Sequence, residues 1–347
     1  MATDILPLRR SARLRLPREG LRGRKGPYLA DPGLLAAVNA AITLGQPLLL
    51  TGEPGCGKTD FAWAVADFVD KQRPGRQQGL RECYVRSDTR ARDLLYHYDA
   101  LRRFGDAQHG DADGRLRSHD PRHYVELQPL GVGLVAPIQQ VVLIDEIDKA
   151  PRDLPNDLLR ELERGEFEIP EIPAADEGPK QAALSIHRLM RPVTDDSART
   201  PIVIITSNVE RQLPDAFLRR CVFYHIPFPD DARLTAILRA RRPDVPIADN
   251  QRSPTQPDDT PHLDRLVTLF SALRRQPGLQ KRPSTAELLG WAEAIDELYE
   301  PAALREHITA LAASVDVVEG TLRGHSWREV PGLACLIKLR EDLAELP

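Results

Sequence analysis

The chain has 347 residues, of which 41% are hydrophobic and 28% charged, and its net charge is −4; these values are typical of a globular protein of about two or three domains. The negative balance gives no global support for nucleic-acid binding, and no apolar run reaches the roughly 20 residues that a membrane-spanning helix needs. The four cysteines form no CxxC pair, which argues against a disulfide framework or a zinc site and favours a reducing, cytoplasmic setting.

Residues 1–26 are predicted to form a basic arm. The stretch RRSARLRLPREGLRGRKG is rich in arginine and contains one acid, and arginines interrupt the apolar runs that a signal peptide would need. Two interpretations stay open. The arm is either a poorly ordered tail or a contact with nucleic acid, an acidic partner or a neighbouring subunit.

Residues 27–229 alternate short apolar strands with helices and are predicted to form one α/β domain. LADPGLLAAVNAAITLG predicts a helix capped by Asp31, with Pro32 in its first turn and Gly45 at its end. PLLLTG, ECYVRS, VVLIDE and IVIITSN predict strands, and TDFAWAVADFVD predicts a helix. Because these strands are continuous apolar runs, they favour a parallel sheet covered by helices on both faces. The polar region Tyr96–Pro129 departs from this rhythm.

Residues 230–347 are predicted to form a second, all-helical domain. DDARLTAILRARR, HLDRLVTLFSALRR, STAELLGWAEAIDELY and AALREHITALAASV each have the apolar spacing of a helix. A stretch rich in Pro, Asp and Gln, RRPDVPIADNQRSPTQPDDTP, separates the first two and predicts a loop.

The first functional motif lies between a predicted strand and a predicted helix. It matches the phosphate-binding pattern GxxxxGK[ST] completely and reads Gly52, Glu53, Pro54, Gly55, Cys56, Gly57, Lys58 and Thr59. Glycines let backbone N–H groups turn toward phosphate oxygens, and the helix N-terminus adds positive potential. Lys58 can then reach the β- and γ-phosphates, and the Thr59 hydroxyl can bind Mg²⁺. The predicted cofactor-binding set also includes Asp60, the next residue of the helix.

Acids and an amide follow two later strands. Asp145 and Glu146 end VVLIDE, and Asn208 ends IVIITSN. Asp145 is expected to hold Mg²⁺ and Glu146 to polarise the attacking water, since phosphoryl transfer depends on positioning and electrostatics. Asn208 is expected to lie beside Glu146 and the γ-phosphate and to orient the water. The alternative for Asn208 is a turn preference at the end of a strand.

LPDAFLRRC, residues 213–221, carries the adjacent arginines Arg219 and Arg220. A guanidinium group suits the charge that develops during phosphoryl transfer, particularly when a neighbouring subunit supplies it. The other interpretation, a solvated helix end, is equally compatible with the spacing.

Together these motifs resemble the AAA+ superfamily and, within it, the MoxR-like ATPases. GEPGCGKT is similar to their Walker A motif, LIDEIDKA to Walker B, TSN to sensor 1, and LPDAFLRRCVFYHIPFP to their arginine-finger segment. The resemblance covers residues 28 to about 300, including the helical lid. Most relatives have an Asp where Arg219 stands, so Arg220 is the better finger candidate and Arg219 the second one.

The resemblance also marks two accessory segments and one departure. Tyr124–Pro137 is similar to an insert before Walker B, and Gly165–Ile172 stands where relatives have a β-hairpin that faces the ring pore. The lid arginine called sensor 2 aligns with Ala286 in KRPSTAELLGWAEAI. Lys281 or Arg282 is expected to replace it, and Arg282 joins the cofactor-binding set. If neither reaches the γ-phosphate, hydrolysis is slow or lid closure is loosely coupled to ATP.

The resemblance implies an α/β P-loop NTPase fold: a parallel sheet flanked by helices (the AAA+ core) with a C-terminal all-helical lid. It implies ATP and Mg²⁺ as cofactors and a homo-oligomer, expected to be a hexameric ring, that remodels protein partners, some of which carry a von Willebrand factor A domain. No NKxD-type guanine motif follows Walker B, which favours adenine. Two alternatives remain: a nucleotide-gated assembly or signalling module with little turnover, and an AAA+ subunit of a nucleic-acid-acting, restriction- or defence-linked complex.

Overall fold

The structure is a computed structural model of the chain. It describes residues 16–17, 19–24, 26–72, 78–136, 138–173, 183–185, 200–208, 211–241, 260–316 and 320–346. Most of the predicted basic arm, and most of the loop predicted between the first two helices of the second domain, lie outside these described residues.

The described strands are short. In chain order they are β1 (Arg22–Gly23), β2 (Gly26–Pro27), β3 (Leu48–Thr51), β4 (Leu80–Tyr84), β5 (Tyr96–Tyr98), β6 (Val125–Leu127), β7 (Val141–Asp145), β8 (Glu168–Pro173), β9 (Ala183–Ser185), β10 (Ile202–Ser207) and β11 (Val222–His225).

The described α-helices are longest in the C-terminal third. In chain order they are α1 (Pro32–Leu44), α2 (Lys58–Lys71), α3 (Ala91–Leu95), α4 (Ala100–His109), α5 (Ala112–Ser118), α6 (Pro129–Val135), α7 (Leu154–Asp157), α8 (Leu159–Arg164), α9 (Asp215–Leu218), α10 (Asp231–Arg241), α11 (Thr260–Arg275), α12 (Thr285–Leu298), α13 (Pro301–Ser314) and α14 (Arg340–Glu345).

The chain groups into two compact units. The first draws on Met1–Arg18, Ala30–Thr51 and Val65–Tyr224, and the second on Glu19–Leu29, Gly52–Ala64 and His225–Pro347.

A five-stranded sheet forms the centre of the first unit, in the order β11-β3-β10-β7-β4. The pairings of β10 with β3, of β10 with β7 and of β4 with β7 are all parallel. Ser207 lies opposite Thr51, and Ile205 lies opposite Ile144. The carboxyl ends of β3, β10 and β7 therefore meet at one edge of the sheet, where polar residues follow them. The predicted parallel sheet flanked by helices is confirmed.

Burial explains why these strands are continuous apolar runs. Every residue of β3 and β10 is buried, so no position can carry the alternating polar residues of a half-exposed strand. The core around the sheet is aliphatic with a few aromatic rings, and its fully buried members include Val142, Ile144, Leu130, Ile205 and Phe217.

Helix α1 begins and ends where its sequence predicts. Asp31 is the N-cap, and its carboxylate accepts a hydrogen bond from the Gly33 N–H at 2.7 Å. Pro32 is the first helical residue, and Gly45 ends the helix with a left-handed φ of 68°. Both ends thus follow the usual cap chemistry.

The polar region between β4 and β7 contains more regular structure than its sequence predicts. Strands β5 and β6 pair antiparallel, and α4 and α5 lie between them in the chain. Strand β8, which overlaps the segment Gly165–Ile172 predicted as a β-hairpin and extends one residue beyond it, pairs antiparallel with β9, which lies outside that segment.

The second unit is mainly helical, as predicted for the C-terminal region. Its core is formed by apolar residues of α10–α13 and of the segments that follow, with Phe270, Trp291, Ile295 and Ile308 fully buried. Ser284 begins α12 through a capping box with Glu287. Among the helices in the described ranges, none combines the length and the apolar character that a bilayer span requires.

Candidate active site

Residues 52–59, which are predicted to bind phosphate and are called the phosphate-binding loop for that reason, follow β3 directly in the chain and belong to the second unit. The φ angle is positive at Gly52 (146°), Gly55 (76°) and Gly57 (95°). A Cβ atom at Gly52 would lie 2.8 Å from the backbone oxygen of Ile226, and one at Gly55 would lie 2.5 Å from the hydroxyl oxygen of Ser284. Glycine is therefore required at both positions for backbone conformation and for space.

Lys58 is the first residue of α2, and the loop encloses its ammonium group. The residue is 7% exposed, and Nζ donates hydrogen bonds to the backbone oxygens of Gly52 at 2.8 Å and Glu53 at 3.0 Å. A buried ammonium needs such acceptors. Phosphate oxygens carry more negative charge than carbonyls and would be stronger acceptors. The loop therefore fits a phosphate group, with Lys58 as its cation.

The remaining loop residues differ in exposure. Pro54 is exposed, and Thr59, the second residue of α2, is half-buried. Burial raises the pKa of the Cys56 thiol above its ordinary value, and the nearby Lys58 ammonium opposes this only in part. The thiol therefore stays protonated at neutral pH and is a poor nucleophile.

Asp60 is surrounded by groups of the protein itself. Its carboxylate accepts a hydrogen bond from the Arg24 N–H at 2.7 Å and forms an ion pair with Arg241 of α10. For Asp60 to bind a ligand as predicted, its carboxylate would have to exchange its ion pair with Arg241, within the second unit, for a contact with that ligand.

An acidic cluster lies at the ends of the neighbouring strands β7 and β10, in the first unit. The Thr206 hydroxyl donates to Asp145 Oδ1 at 2.6 Å and accepts from the Glu146 N–H at 2.8 Å. Glu146 has a φ of 58°, and in the described ranges it is the one non-glycine residue with a positive φ. Thr206, which is fully buried, thus fixes both acids at the end of β7.

Asn208 and Lys149 hold the Glu146 carboxylate from two sides. Asn208 Nδ2 donates to Oε1 at 3.2 Å, and Lys149 Nζ donates to Oε2 at 2.5 Å. The buried Asp148 accepts the Asn208 N–H at 3.1 Å. The structure therefore places Asn208 beside Glu146, where its sequence position predicts it to lie.

Three residues of this cluster, Thr206, Lys149 and Asp148, were not among the sequence-predicted site residues. The spacing of three residues between Glu146 and Lys149 is a signal that could have identified that pair. A hydroxyl two residues before Asn208, at the end of a buried strand, could have identified Thr206 as a partner of the acids on the next strand.

Comparison with known families adds to this geometry. A family model described as an AAA domain (dynein-related subfamily) matches residues 47–221, about half of the chain. The chain belongs to this AAA domain family. The family is one of nucleotide-hydrolysing ATPases, and the matched range contains Lys58, Glu146 and Asn208.

Two solved structures of AAA proteins are similar to the chain at low identity. PCH-2 from C. elegans is 16% identical over 77% of this chain and 60% of its own, with a TM-score of 0.36. A structure from a study of katanin self-assembly is 17% identical over 75% of this chain and 62% of its own, with a TM-score of 0.32. The chain thus spans about three fifths of the length of each. No curated protein sequence matches it.

The two candidate finger arginines, Arg219 and Arg220, lie near the C-terminal end of the residues that match the AAA domain model. Arg219 is exposed. Arg220 is engaged within its own chain: its Nε atom pairs with the Glu163 carboxylate of α8, and Nη1 donates to the backbone oxygen of Ala216 at 3.0 Å. For Arg220 to act on another subunit, its pair with Glu163 must first open.

The lid residues predicted to bind nucleotide lie beyond the AAA domain match, in the second unit. The Ala286 N–H donates to the Gly55 backbone oxygen at 3.2 Å, so this position contacts the phosphate-binding loop through its backbone. The Lys281 N–H is held by Asp342 at 3.1 Å. Arg282 is exposed and lines a cavity of about 690 Å³.

Thr206→Val should lower the free energy of unfolding by about 1–3 kcal/mol, because it leaves the Asp145 carboxylate and the Glu146 N–H of the AAA domain without their shared partner. Thr206→Ser keeps the hydroxyl and should lower the free energy of unfolding by a smaller amount. Urea denaturation at neutral pH measures the free energy of unfolding of both variants. Equal destabilisation by the two variants would show that the methyl group contributes as much as the hydroxyl, and a Thr206→Val variant as stable as the parent would show that the hydroxyl contributes nothing.

Proposed function

We propose that the chain is a MoxR-like AAA+ ATPase that binds and hydrolyses ATP with Mg²⁺ at the subunit interfaces of a ring. The observation that carries this proposal is the enclosed ammonium of Lys58 in a glycine-containing loop. A cluster of Asp145, Glu146 and Asn208 at the ends of adjacent strands supports it. A phosphate-binding loop supplies binding, and the cluster supplies the groups that hydrolysis needs.

In the proposed site, Lys58 and the loop N–H groups bind the phosphates of ATP. The Thr59 hydroxyl and the Asp145 carboxylate would hold Mg²⁺, which neutralises phosphate charge when bound. The hydrogen bond from Thr206 orients the Asp145 carboxylate, as the outer partners of metal ligands commonly do. Arg282 stays a proposed nucleotide contact.

Glu146 is the proposed general base toward the attacking water. Its carboxylate is held by Asn208 on one oxygen and by Lys149 on the other, so its position is fixed before substrate binds. A base must lie within hydrogen-bond reach of the proton it takes. The Glu146 side chain is 38% exposed and each carboxylate oxygen can accept a second hydrogen bond, so a water molecule can reach it while both contacts are in place.

The proposed ring follows from the arginine pair and from the resemblance to MoxR-like ATPases. An arginine supplied by a neighbouring subunit stabilises the transition-state charge and can dominate the rate. Arg220 is the first candidate and Arg219 the second. We propose a hexamer in the cytoplasm that remodels or activates a protein partner, with von Willebrand factor A domain proteins as the first class to test. The domain limits 27–229 and 230–347 are part of the same proposal.

Mixing two inactive variants tests the intersubunit site. Arg220→Ala should cut hydrolysis about 100-fold or more and leave nucleotide binding by the monomer nearly intact. Glu146→Gln should be inactive for a different reason. In mixed rings, some interfaces join an Arg220→Ala subunit, which still has Glu146, to a Glu146→Gln subunit, which still has Arg220. These interfaces contain both intact residues, so part of the ATPase activity should return. Activity should also rise with protein concentration.

The outcome of the mixing experiment separates the candidates. Mixed variants that stay inactive would contradict an interface built from Arg220 and Glu146. If Arg219→Ala is the damaging change and restores activity in the mixture, the finger assignment moves by one residue.

A nucleotide-gated assembly module with little turnover is the second candidate. The pairs Glu146–Lys149 and Arg220–Glu163 favour it, since both would restrain groups that hydrolysis needs. Assembly driven by ATP without release of phosphate would support this candidate. A nucleic-acid-acting complex rests on the basic arm alone, and stimulation of the ATPase by DNA or RNA that falls with salt would support it.

A further inference from the structure

Arg274, near the end of α11, is a nearly buried arginine that contacts the phosphate-binding loop. Its side chain is 10% exposed. Nη2 donates to Glu53 Oε2 at 2.5 Å, and Nη1 donates to the backbone oxygen of Pro283 at 2.7 Å. The guanidinium carbon lies 3.6 Å from the centre of the Phe228 ring. All four residues belong to the second unit, so the geometry of this contact is defined within one compact body.

The N-terminus of α12 contacts the same loop beside this arginine. Pro283 immediately precedes Ser284, the N-cap of α12, and the Ala286 N–H donates to the Gly55 oxygen at 3.2 Å. A Cβ atom on Gly55 would lie 3.2 Å from the Ala286 Cβ. The start of α12 is therefore packed against the loop backbone, and Arg274 joins Pro283, at this start, to Glu53.

Glu53 places a carboxylate on a loop that is suited to binding phosphate. Two like charges at about 6 Å repel each other by several tenths of a kcal/mol in water and by a few kcal/mol near a protein surface. The Glu53 side chain is 51% exposed, so solvent screens part of this repulsion but not all of it. A guanidinium group on the carboxylate removes most of the remaining negative charge as seen by a bound anion.

We propose that Arg274 is a positioning residue for nucleotide binding, which neutralises and anchors Glu53 on the phosphate-binding loop and thereby joins α11 and the start of α12 to that loop. This inference rests on the proposed function, in which the loop binds the phosphates of ATP. The inference goes beyond the proposed function, because it assigns to Arg274 a role that is exerted through Glu53 rather than by contact with the nucleotide.

A double-mutant cycle tests the inference with the full chain and a fluorescent ATP analogue in the presence of Mg²⁺. Arg274→Gln leaves Glu53 unpaired and should weaken binding about tenfold, within the range for coupled contacting residues. Glu53→Gln removes a negative charge from the loop and should tighten binding up to about threefold. The double variant should return to within about threefold of the parent, because no unpaired carboxylate remains.

The matched control is Arg275→Gln. Arg275 is the next residue of α11, its side chain is 48% exposed, and it lies 3.7 Å from Asp231. Arg275→Gln removes one positive charge from the same helix, but Arg275 does not pair with Glu53. The variant should therefore bind the analogue with the affinity of the parent. The tenfold loss in Arg274→Gln should also shrink at high salt, because screening weakens the repulsion from Glu53.

A purely structural role for Arg274 makes a different prediction. If Arg274 acts through its packing on Phe228 and its bond to Pro283, the double variant will bind as weakly as Arg274→Gln, and the inference is overturned. Unchanged affinity in Arg274→Gln overturns it as well. If glutamine prevents folding, Arg274→Met keeps the unbranched stem against Phe228 and enters the same cycle. Failure of the parent chain to bind the analogue would overturn the proposed function together with this inference. If the parent binds the analogue, the variants test the role of Arg274 alone.

Discussion

Replacing Lys58 with alanine should abolish nucleotide binding, with an affinity loss of at least about 100-fold. The Lys58 ammonium lies inside the loop at 2.8 Å from one backbone oxygen and 3.0 Å from another, where phosphate oxygens would replace these acceptors. Charge-assisted hydrogen bonds contribute about 1.5–3 kcal/mol each, so the loss of two of them accounts for the expected effect. Calorimetric titration with ATP and Mg²⁺ measures it.

The control for this change lies at the other end of the same helix. Lys71 is the last residue of α2, is exposed and pairs with Asp67 at 2.6 Å. Lys71→Ala removes the same charge and should bind ATP as the parent does. Both variants should also unfold cooperatively in urea, which excludes loss of the fold as the cause. If Lys58→Ala retains parental affinity, the loop does not bind phosphate.

Glu146→Gln should bind ATP but hydrolyse it about 100- to 1,000-fold more slowly. The amide has nearly the shape of the carboxylate, yet it cannot accept a proton from water, and loss of a general base typically costs this much. Binding should persist because the phosphate-binding loop is unchanged. Single-turnover hydrolysis, with the nucleotide content of the purified protein measured beside it, distinguishes slow chemistry from weak binding.

Glu126→Gln is the matched control for the acid. Glu126 is an exposed residue of β6, and its replacement should leave the rate of hydrolysis unchanged. Hydrolysis at the parental rate in Glu146→Gln would mean that another group activates the water. Weak ATP binding in Glu146→Gln would instead show that Glu146 supports the fold of the site rather than the chemical step.

The sequence predicted those parts of the fold whose causes are local. The limits of α1 follow from Asp31, Pro32 and Gly45, each of which satisfies or ends the helix through its own backbone chemistry. The buried strands β3 and β10 follow from runs of consecutive apolar residues. The helices of the C-terminal region follow from apolar spacing, because each buries one face in the same core.

Helices α4 and α5 were missed because little burial accompanies them. No residue of α4 is buried, and Leu101 and Phe104 are 86% and 64% exposed, so its apolar residues do not mark a core-facing stripe. The N-caps Asp99 and Asp111, which accept hydrogen bonds from the next turn, were the available signals. In a polar region such caps compete with the many aspartates that favour turns.

The motifs of the site, and the position of Asn208 beside Glu146, could be predicted from the sequence, but the other contacts between distant segments were not. Lys58 and Glu146 lie in sequence motifs whose residue types and spacing predict phosphate binding and activation of water, respectively. Thr206 is 61 residues from Asp145, and Arg274 is 221 residues from Glu53. Both pairs depend on how strands and helices pack. The position of the Thr206 hydroxyl at the end of a buried strand is a signal for the first pair, and the sequence carries no comparable signal for the second. The structure therefore adds the partners that hold the predicted site residues.

The left-handed backbone at Glu146 has a consequence for the evolution and engineering of this chain. A residue with a Cβ atom costs about 1–2 kcal/mol in that conformation, and glycine does not. This position would thus favour glycine if folding alone selected the residue. Glu146→Gly would relieve this backbone cost, but it would also remove the carboxylate and its contacts with Asn208 and Lys149. If Glu146 is the general base that we propose, the chain accepts a conformational cost at this position in order to keep its carboxylate.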